Sequence, residues 1–161
     1  MLKKDLSSFI IFASTLFILG GCGNDSNPAN NNHDEHAHAE AVGCVVQQDD
    51  VELVRAEKGV VVGSFEVQEN MESPLLNFYL VAEDSDLFRP EGEDFSFAWE
   101  SKNSGIADAI QYESEGEWNF HLKGLSEGAT SILFKVMHDD HDDFVSLDIP
   151  ITVAPESGGG L

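Results

Sequence analysis

Basic side chains are scarce in this sequence. It has 8 Lys and Arg residues against 30 Asp and Glu residues, which gives a formal net charge of −22 at pH 7. A surface this acidic repels nucleic acid and anionic lipid headgroups. The composition therefore predicts no nucleic-acid partner, and it suits either a salty habitat or a cationic ligand.

Catalytic signatures are also missing. The chain has no Gly-x-Ser-x-Gly elbow, no phosphate-binding Gly-rich loop and no His-Glu-x-x-His pair. Acidic pairs are common, but in a chain this acidic they identify no site. We predict that the protein is not an enzyme.

The longest apolar run, Phe9 to Leu19, is too short for a comfortable membrane-spanning helix. Two lysines precede it and small residues follow it, as in a secretory signal peptide. The end of this segment, Leu19-Gly20-Gly21-Cys22, resembles the bacterial lipobox. That resemblance implies a signal peptide over residues 1–21 and a lipidated Cys22, so that acyl chains anchor the protein to the membrane. The alternative is an ordinary secretion signal with an incidental cysteine.

The lipobox resemblance also bears on location. Gly23 replaces the Asp that, by resemblance, holds lipoproteins at an inner membrane. We expect a lipid-anchored protein of the cell envelope, at the outer membrane if the host has two membranes.

Cysteine is limited to two residues. If Cys22 carries lipid, Cys44 has no partner for a disulfide. Cys44 lies in the apolar stretch Val42 to Val46, so we interpret it as a small buried hydrophobic residue. A metal-binding thiolate is the alternative.

Residues 22–41 contain few large apolar side chains and are rich in Asn, Asp and His. Such a segment cannot bury enough surface to offset its ordering entropy, so we predict a disordered tether. The tether carries His33, His36 and His38, which are three of only six histidines in the chain. Residues 155–161 are predicted to form a flexible tail.

Residues 42–154 show a period of two, with turn residues between short runs rich in β-branched and aromatic side chains. No stretch predicts an amphipathic helix. Seven to nine such strands favour an all-β, antiparallel sandwich. The clearest runs are Val60 to Val67, Leu75 to Val81, Phe95 to Trp99, Trp118 to Leu122, Ile132 to Met137 and Phe144 to Val153.

The segment Phe97 to Val136 resembles the bacterial immunoglobulin-like group 2 family. That resemblance implies an immunoglobulin-like sandwich and a surface or adhesion role without catalysis. The segment departs from the family pattern in an acidic insertion, Glu113 to Glu117, and in the histidine pair that follows it, His138 and His141. The matching positions are Trp99, Ser101, Asn103, Ser104, Ile106, Ala107, Gly124, Leu125, Gly128, Thr130 and Ile132.

The stretch "MHDDHDDF" holds a second histidine cluster between two predicted strands. His138 and His141 are the first and fourth residues of a predicted tight turn, which brings their Cα atoms within about 7 Å. The two imidazoles can then bind one ion, since zinc takes three or four N, S or O ligands. The tether histidines or one of Asp139, Asp140, Asp142 and Asp143 would complete the set.

The sixth histidine, His121, is left out of this site. We place it on a hairpin formed by the strands Trp118 to Leu122 and Ile132 to Val136. In that arrangement it lies about 23 Å from His138 at 3.3 Å per residue, as a surface or cross-strand side chain.

Two main functions from different classes follow, and a third is considered beside them. The first is an envelope lipoprotein that captures, buffers or delivers Zn²⁺, with Cu²⁺ or Ni²⁺ as alternatives, because imidazole suits all three ions. The second is an adhesion or assembly module with an envelope protein as partner and no metal role. A third, calcium binding by a loop such as Glu83 to Asp86, leaves the histidines unexplained, since Ca²⁺ prefers oxygen ligands.

Overall fold

The computed structural model describes residues 39–156, which form an all-β domain with a single turn of 3-10 helix at Glu113–Glu115. The described part of the chain contains no helix long and apolar enough to cross a membrane. The twelve strands are β1 (Gly43–Gln48), β2 (Val51–Glu57), β3 (Val60–Val62), β4 (Phe65–Gln68), β5 (Leu76–Val81), β6 (Leu87–Phe88), β7 (Phe95–Ser101), β8 (Ala107–Ile110), β9 (Asn119–Gly124), β10 (Gly128–His138), β11 (His141–Val145) and β12 (Ile149–Ala154).

The strands form two sheets. The first has the order β3-β2-β1-β5-β9-β8, with β6 beside β5. The second has the order β11-β10-β12-β4, with β7 on the other side of β10. Neighbouring strands are antiparallel except for β4 and β12, which pair in parallel. The result is an all-β sandwich of two mostly antiparallel sheets, which confirms the predicted all-β fold class.

The core lies between the sheets and is rich in phenylalanine. Phe78 and Phe120 come from the first sheet, and Phe97 and Phe134 from the second. Ring centroids lie 4.7 Å apart for Phe78 and Phe97, and 4.9 Å apart for Phe120 and Phe134. Tilted aromatic pairs at these distances stabilise a core beyond the area that they bury. One face of each strand meets this core, so buried residues alternate with partly buried ones along β10 and with exposed ones along β12.

One predicted pairing and the extent of one predicted strand are wrong. The strands β9 and β10 do not form a hairpin, because β9 pairs with β5 and β8 in the first sheet while β10 belongs to the second. The predicted run Phe144 to Val153 is two strands. Val145 and Leu147 are exposed, whereas Ile149 and Ile151 are buried.

The described chain begins on the surface of this sandwich. Ala39 and Ala41, which the sequence assigns to the tether, pack against the core. The amide of Val42 then donates to the carbonyl of Val81 over 2.8 Å, next to the pairing of β1 with β5.

Candidate metal centre

The hairpin of β10 and β11 carries the second histidine cluster. The last residue of β10, His138, pairs directly with the first residue of β11, His141, which confirms the predicted turn. Asp139 has φ 52°, a left-handed conformation that Asp tolerates better than most residues. Its amide donates to the carbonyl of Asp94 over 2.8 Å, which joins the turn to the start of β7.

The side chain of His138 is held in place by its neighbours. Strand β10 lies between β7 and β11 at this point, so His138 pairs with Phe95 on one side and His141 on the other. Its imidazole stacks on the Phe95 ring, with centroids 4.3 Å apart and planes 13° apart. Only 5% of His138 is exposed. A ligand whose ring is fixed in this way loses little conformational freedom when it binds an ion.

Three side chains converge at this end of the hairpin. Each of His138, His141 and Asp143 offers one ligand atom, and these three atoms lie within 4.8 Å of one another. The centroids of the two imidazole rings are 5.5 Å apart. Ligands of a tetrahedral zinc ion lie roughly 3.4 Å apart, given bonds of about 2.0–2.1 Å. The ligand atoms therefore have to move closer by at most about 1.4 Å to reach that geometry. His141 is exposed and Asp143 half-buried, so these two side chains can move while His138 stays fixed.

The structure selects Asp143 from the four acidic residues of the stretch. The register of β11 shifts here, since Val136 pairs with Phe144 while Met137 pairs with Asp142. Asp143 is thus the extra residue of a β-bulge, a feature that commonly re-aims a side chain. One of its oxygens accepts a hydrogen bond from the backbone amide of Ala39.

The other three acidic residues lie outside the group. Asp142 forms an ion pair with Lys135 at 2.9 Å. Asp139 and Asp140 form the exposed turn. The spacing of Asp143, two residues after His141, would have placed both on one face of a strand. The bulge that favours Asp143 forms through pairing with β10, so the local sequence does not predict it.

The remaining predicted site residues are His33, His36, His38 and Cys22. All four lie outside the described residues. Of the predicted metal ligands, the structure therefore brings together His138 and His141.

Neither Cys44 nor His121 belongs to the candidate metal-binding group. Cys44 is 1% exposed within the core, which confirms its interpretation as a buried hydrophobic residue. Burial raises the pKa of its thiol to about 12, although a hydrogen bond with Ser146 lowers it in part. A thiol this hard to ionise is a poor metal ligand. His121 is a cross-strand residue opposite Ile110, as predicted, but on the pairing of β8 with β9.

The acidic loop considered for calcium folds on itself. The Asp84 carboxylate accepts a hydrogen bond from the Asp86 amide at 3.2 Å. Among residues 39–156, the hairpin group is the one set of three His, Cys, Asp or Glu side chains close enough to share an ion.

The comparisons with known proteins found structural similarity but no matching family. No protein family and no curated protein matches this chain. Three solved structures of the S-layer protein SbsC are similar. Domains 4 and 5 match with 14% identity and a TM-score of 0.40, over 69% of this chain and 53% of that one. Domains 5–6 match with 16% identity and a TM-score of 0.39, over 56% and 39%. Domains 4–9 match with 11% identity and a TM-score of 0.41, over 74% and 23%. The chain thus spans about half or less of each of these three structures.

Proposed function

We propose that this protein is an envelope lipoprotein that binds a transition metal ion at the hairpin of β10 and β11, and that it captures, buffers or delivers that ion. The observation that carries the proposal is the convergence of His138, His141 and Asp143 within 4.8 Å. Two histidines and a carboxylate form a recognised set of zinc ligands.

The choice of ion follows from the ligand atoms. Imidazole nitrogen suits Zn²⁺, Cu²⁺ and Ni²⁺, whereas Ca²⁺ and Mg²⁺ prefer oxygen alone. One carboxylate beside two imidazoles is compatible with Zn²⁺ without a strict demand on geometry. We therefore name Zn²⁺ first, with Cu²⁺ and Ni²⁺ as alternatives. The net charge of −22 supports capture, because an acidic surface raises the local concentration of cations.

The location rests on the first residues of the sequence. The segment Leu19 to Cys22 resembles a lipobox, and its acylated cysteine would hold the domain at the membrane surface. Residue 23 is Gly and not Asp, which favours the outer membrane in a host with two membranes. The three tether histidines would then lie between anchor and domain, where they add ligands or raise the rate of capture.

The test is zinc titration of the full chain, purified in detergent without a polyhistidine tag. We expect calorimetry to show a dissociation constant below about 10 μM, and elemental analysis to find bound metal. The double variant His138→Ala/His141→Ala should lose most of this affinity. The matched control, Asp140→Asn, removes a charge from the same turn outside the ligand group and should bind normally. Absence of Zn²⁺, Cu²⁺ and Ni²⁺ binding in the full chain would refute the proposal.

A second function, an adhesion or assembly module, is favoured by a different surface. Strand β3 is the edge of the first sheet, and Val60 and Val62 on it are about 60% exposed. Val51 on the neighbouring strand is 61% exposed. An apolar sheet edge is a template for another strand. If metal binding fails, pull-down of an envelope protein that depends on Val60 and Val62 would support this alternative.

A further inference from the structure

Strand β3 differs from the other strands that have an open edge. Among residues 39–156, six strands pair with a neighbour on one side only, namely β3, β4, β6, β7, β8 and β11. Open edges invite pairing with another chain, and proteins commonly protect them with charged side chains. The strands β4, β7, β8 and β11 each carry a carboxylate, and β6 has only two residues, between Asp86 and Arg89. Strand β3 carries no charge and lies between Gly59 and Gly63.

The side chains of β3 add an apolar surface to this edge. Val60 and Val62 are 59% and 63% exposed, and they lie on the outer face of the sheet, opposite Glu57 and Arg55 of β2. Val61 points to the other face, where it packs against the core. The strand therefore offers a partner both an open backbone edge and two exposed valines.

The hairpin of β2 and β3 is electrically neutral within a strongly acidic chain. Its charged residues are two of each sign, Glu52, Arg55, Glu57 and Lys58. Arg55 contacts Glu52 at 2.7 Å and Glu57 at 3.1 Å. Lys58 contacts Glu57 at 2.7 Å. The whole chain has a net charge of −22, so two copies repel each other over most of their surface, but at this hairpin they can meet without opposing like charges.

We propose that two copies of this protein associate through β3, which pairs antiparallel with β3 of the second copy and joins their first sheets into one. The same strand contributes from both copies, so the contact is self-complementary about a twofold axis. This inference rests on the assembly alternative proposed above, whose partner it names, and it is independent of metal binding.

The register of this pairing follows from the length of the strand. The register that pairs all three residues sets Val61 opposite its own counterpart and Val60 opposite Val62 of the second copy. The four exposed valines then form two cross-strand pairs on the outer face. Branched side chains pack well against such neighbours, and cross-strand pairs stabilise antiparallel strands.

A second copy suits this edge because of what the edge requires. The partner of β3 has to be an uncharged, β-forming segment with an open edge, and β3 of another copy is itself such a segment. Self-pairing of β4, β7, β8 or β11 would instead bring carboxylates of the two copies together, which is unfavourable.

The expected dimer is weak and depends on salt. Two strands of three residues bury much less than the roughly 1,200 Å² of a stable complex, so the association is reversible. The remaining repulsion between the acidic surfaces falls as salt rises, because the Debye length shortens from about 10 Å at 0.1 M to about 3 Å at 1 M. Association should therefore strengthen with salt.

The test is sedimentation velocity of the full chain with EDTA, in detergent with micelles in excess over protein. We expect a monomer–dimer equilibrium whose dissociation constant falls about threefold or more between 0.1 M and 1 M sodium chloride. Val62→Lys puts a lysine of each copy on one face, about 7–8 Å apart as diagonal neighbours, and should raise the dissociation constant about tenfold. The matched control, Val51→Lys, changes a valine of β2 that is 61% exposed, and it should associate like the unmodified chain.

Disulfide trapping tests the register. In the proposed dimer the Cα atoms of Val60 in one copy and Val62 in the other lie about 4.5–5.5 Å apart, which suits a disulfide. The two copies of Val60 are diagonal neighbours about 7–8 Å apart, which is beyond that range. A mixture of Val60→Cys and Val62→Cys should therefore form a linked dimer under mild oxidation, whereas either variant alone forms little. The unmodified chain controls for the native cysteines, of which Cys44 is buried.

The outcomes separate self-pairing from the other proposals. A chain that stays monomeric at about 0.5 mM in both salt concentrations would refute it. Equal weakening by Val51→Lys would also refute it, as would linked dimers of either cysteine variant alone as abundant as those of the mixture. The metal function is untouched by these results, because EDTA is present. A monomer that captures an envelope protein through Val60 and Val62 would refute self-pairing while the adhesion alternative stands.

Discussion

At the scale of single residues, Cys44 and His121 differ in the protonation state that the fold favours. Cys44 is a titratable group that burial keeps neutral, and His121 is one that its partners favour in the charged form. Neither lies in the candidate metal centre. Both give predictions that do not depend on whether the protein binds metal.

The first prediction concerns the reactivity of Cys44. Its thiol is 1% exposed and has a pKa raised by burial to about 12, so almost no thiolate exists at pH 8. We expect iodoacetamide to leave Cys44 unmodified in the folded protein and to label it rapidly in 6 M guanidinium chloride. Mass spectrometry measures both. Zinc should not alter the labelling, and protection from alkylation that appears only with zinc would identify a thiolate ligand instead.

The second prediction concerns the pH dependence that His121 contributes. Its Nδ1 lies 2.8 Å from the Ser73 carbonyl and its Nε2 lies 2.9 Å from the Glu115 carboxylate. Both partners are acceptors, so both ring nitrogens donate only in the protonated imidazolium. Burial alone lowers the pKa of His121. The Ser73 carbonyl, the Glu115 carboxylate and the more distant Glu72 outweigh burial and raise the pKa above 6.5.

Because the folded pKa exceeds the unfolded one, the stabilisation is complete below about pH 6.5 and is lost as the pH rises through the folded value. Each unit of upward shift corresponds to about 1.4 kcal/mol. We expect the free energy of unfolding of the unmodified chain to fall relative to that of His121→Gln between pH 6 and 8.5. Tyr112, whose ring meets His121 edge-on at 5.6 Å, titrates well above this window and does not contribute. Urea unfolding measures the free energy of unfolding at each pH. If it changes with pH equally in the two proteins, the imidazolium contributes nothing to stability.

At the scale of elements, one crossing positions the candidate hairpin of β10 and β11, and another joins the two sheets. Strand β10 is long enough to pair with β12 through its first half and with β11 through its last residues, while β7 covers the other side. The candidate metal ligand His138 therefore lies at the end of a strand with neighbours on both sides. The other crossing is at Gly124, where the end of β9 in the first sheet meets the end of β4 in the second.

The third prediction tests that second crossing. A Cβ atom on Gly124 would overlap the backbone carbonyl oxygen of Gln68 and would lie 3.1 Å from Val153 Cγ1. Neither sheet can withdraw without breaking the bonds of Gly124 to Asn70 and Met71. We expect Gly124→Ala to lower the free energy of unfolding by about 1–3 kcal/mol, as overpacking does in other cores.

The matched control for Gly124→Ala is Gly105→Ala. The nearest atom to an added Cβ there is the Asn103 side-chain oxygen, at 3.3 Å, on an exposed side chain that can shift by a few tenths of an ångström while it still accepts from the Gly105 amide. Denaturant unfolding of both variants measures the difference. Equal stabilities would mean that the sheets are free to separate at Gly124.

The contrast between predicted and observed elements has a physical cause. Features that depend on neighbours in sequence were predictable, such as the turn between His138 and His141 and the alternation of Ile132, Phe134 and Val136. Features that depend on strand partners were not. After Gly124 the chain crosses to the other sheet, with the Leu125 amide bonded to the Ile106 carbonyl, so adjacency in sequence wrongly predicted a hairpin.

The same distinction applies to the metal centre. The pair of histidines follows from spacing in a tight turn, whereas Asp143 is favoured by a bulge that exists only through pairing with β10. The stacking of Phe95 on His138 joins residues 43 positions apart and could not be read from either segment. Four of the residues proposed from sequence, Cys22, His33, His36 and His38, stay predictions.

At the scale of the whole molecule, the chain joins a proposed anchor, a histidine-bearing tether and a strongly acidic sandwich. The net charge of −22 opposes close approach to anionic headgroups, so electrostatic attraction does not hold the protein at a membrane. The proposed attachment would then depend on the lipid alone. One acyl chain gives only marginal binding, while two or more hold a protein stably.

The last prediction follows from this dependence. Cys22→Ser removes the proposed acylation site, and no described helix can substitute as a membrane span. We expect the variant to move from the membrane fraction to the soluble fraction after cell breakage, whereas the unmodified chain stays with membranes and resists extraction by high salt. Resistance to salt distinguishes acyl insertion from ionic adsorption, which salt screens. The released variant should keep the β-rich circular dichroism spectrum of the sandwich, since Cys22 lies outside the strands from Gly43 to Ala154. A variant that stays in the membrane fraction while folded would show that another segment or partner protein anchors this chain.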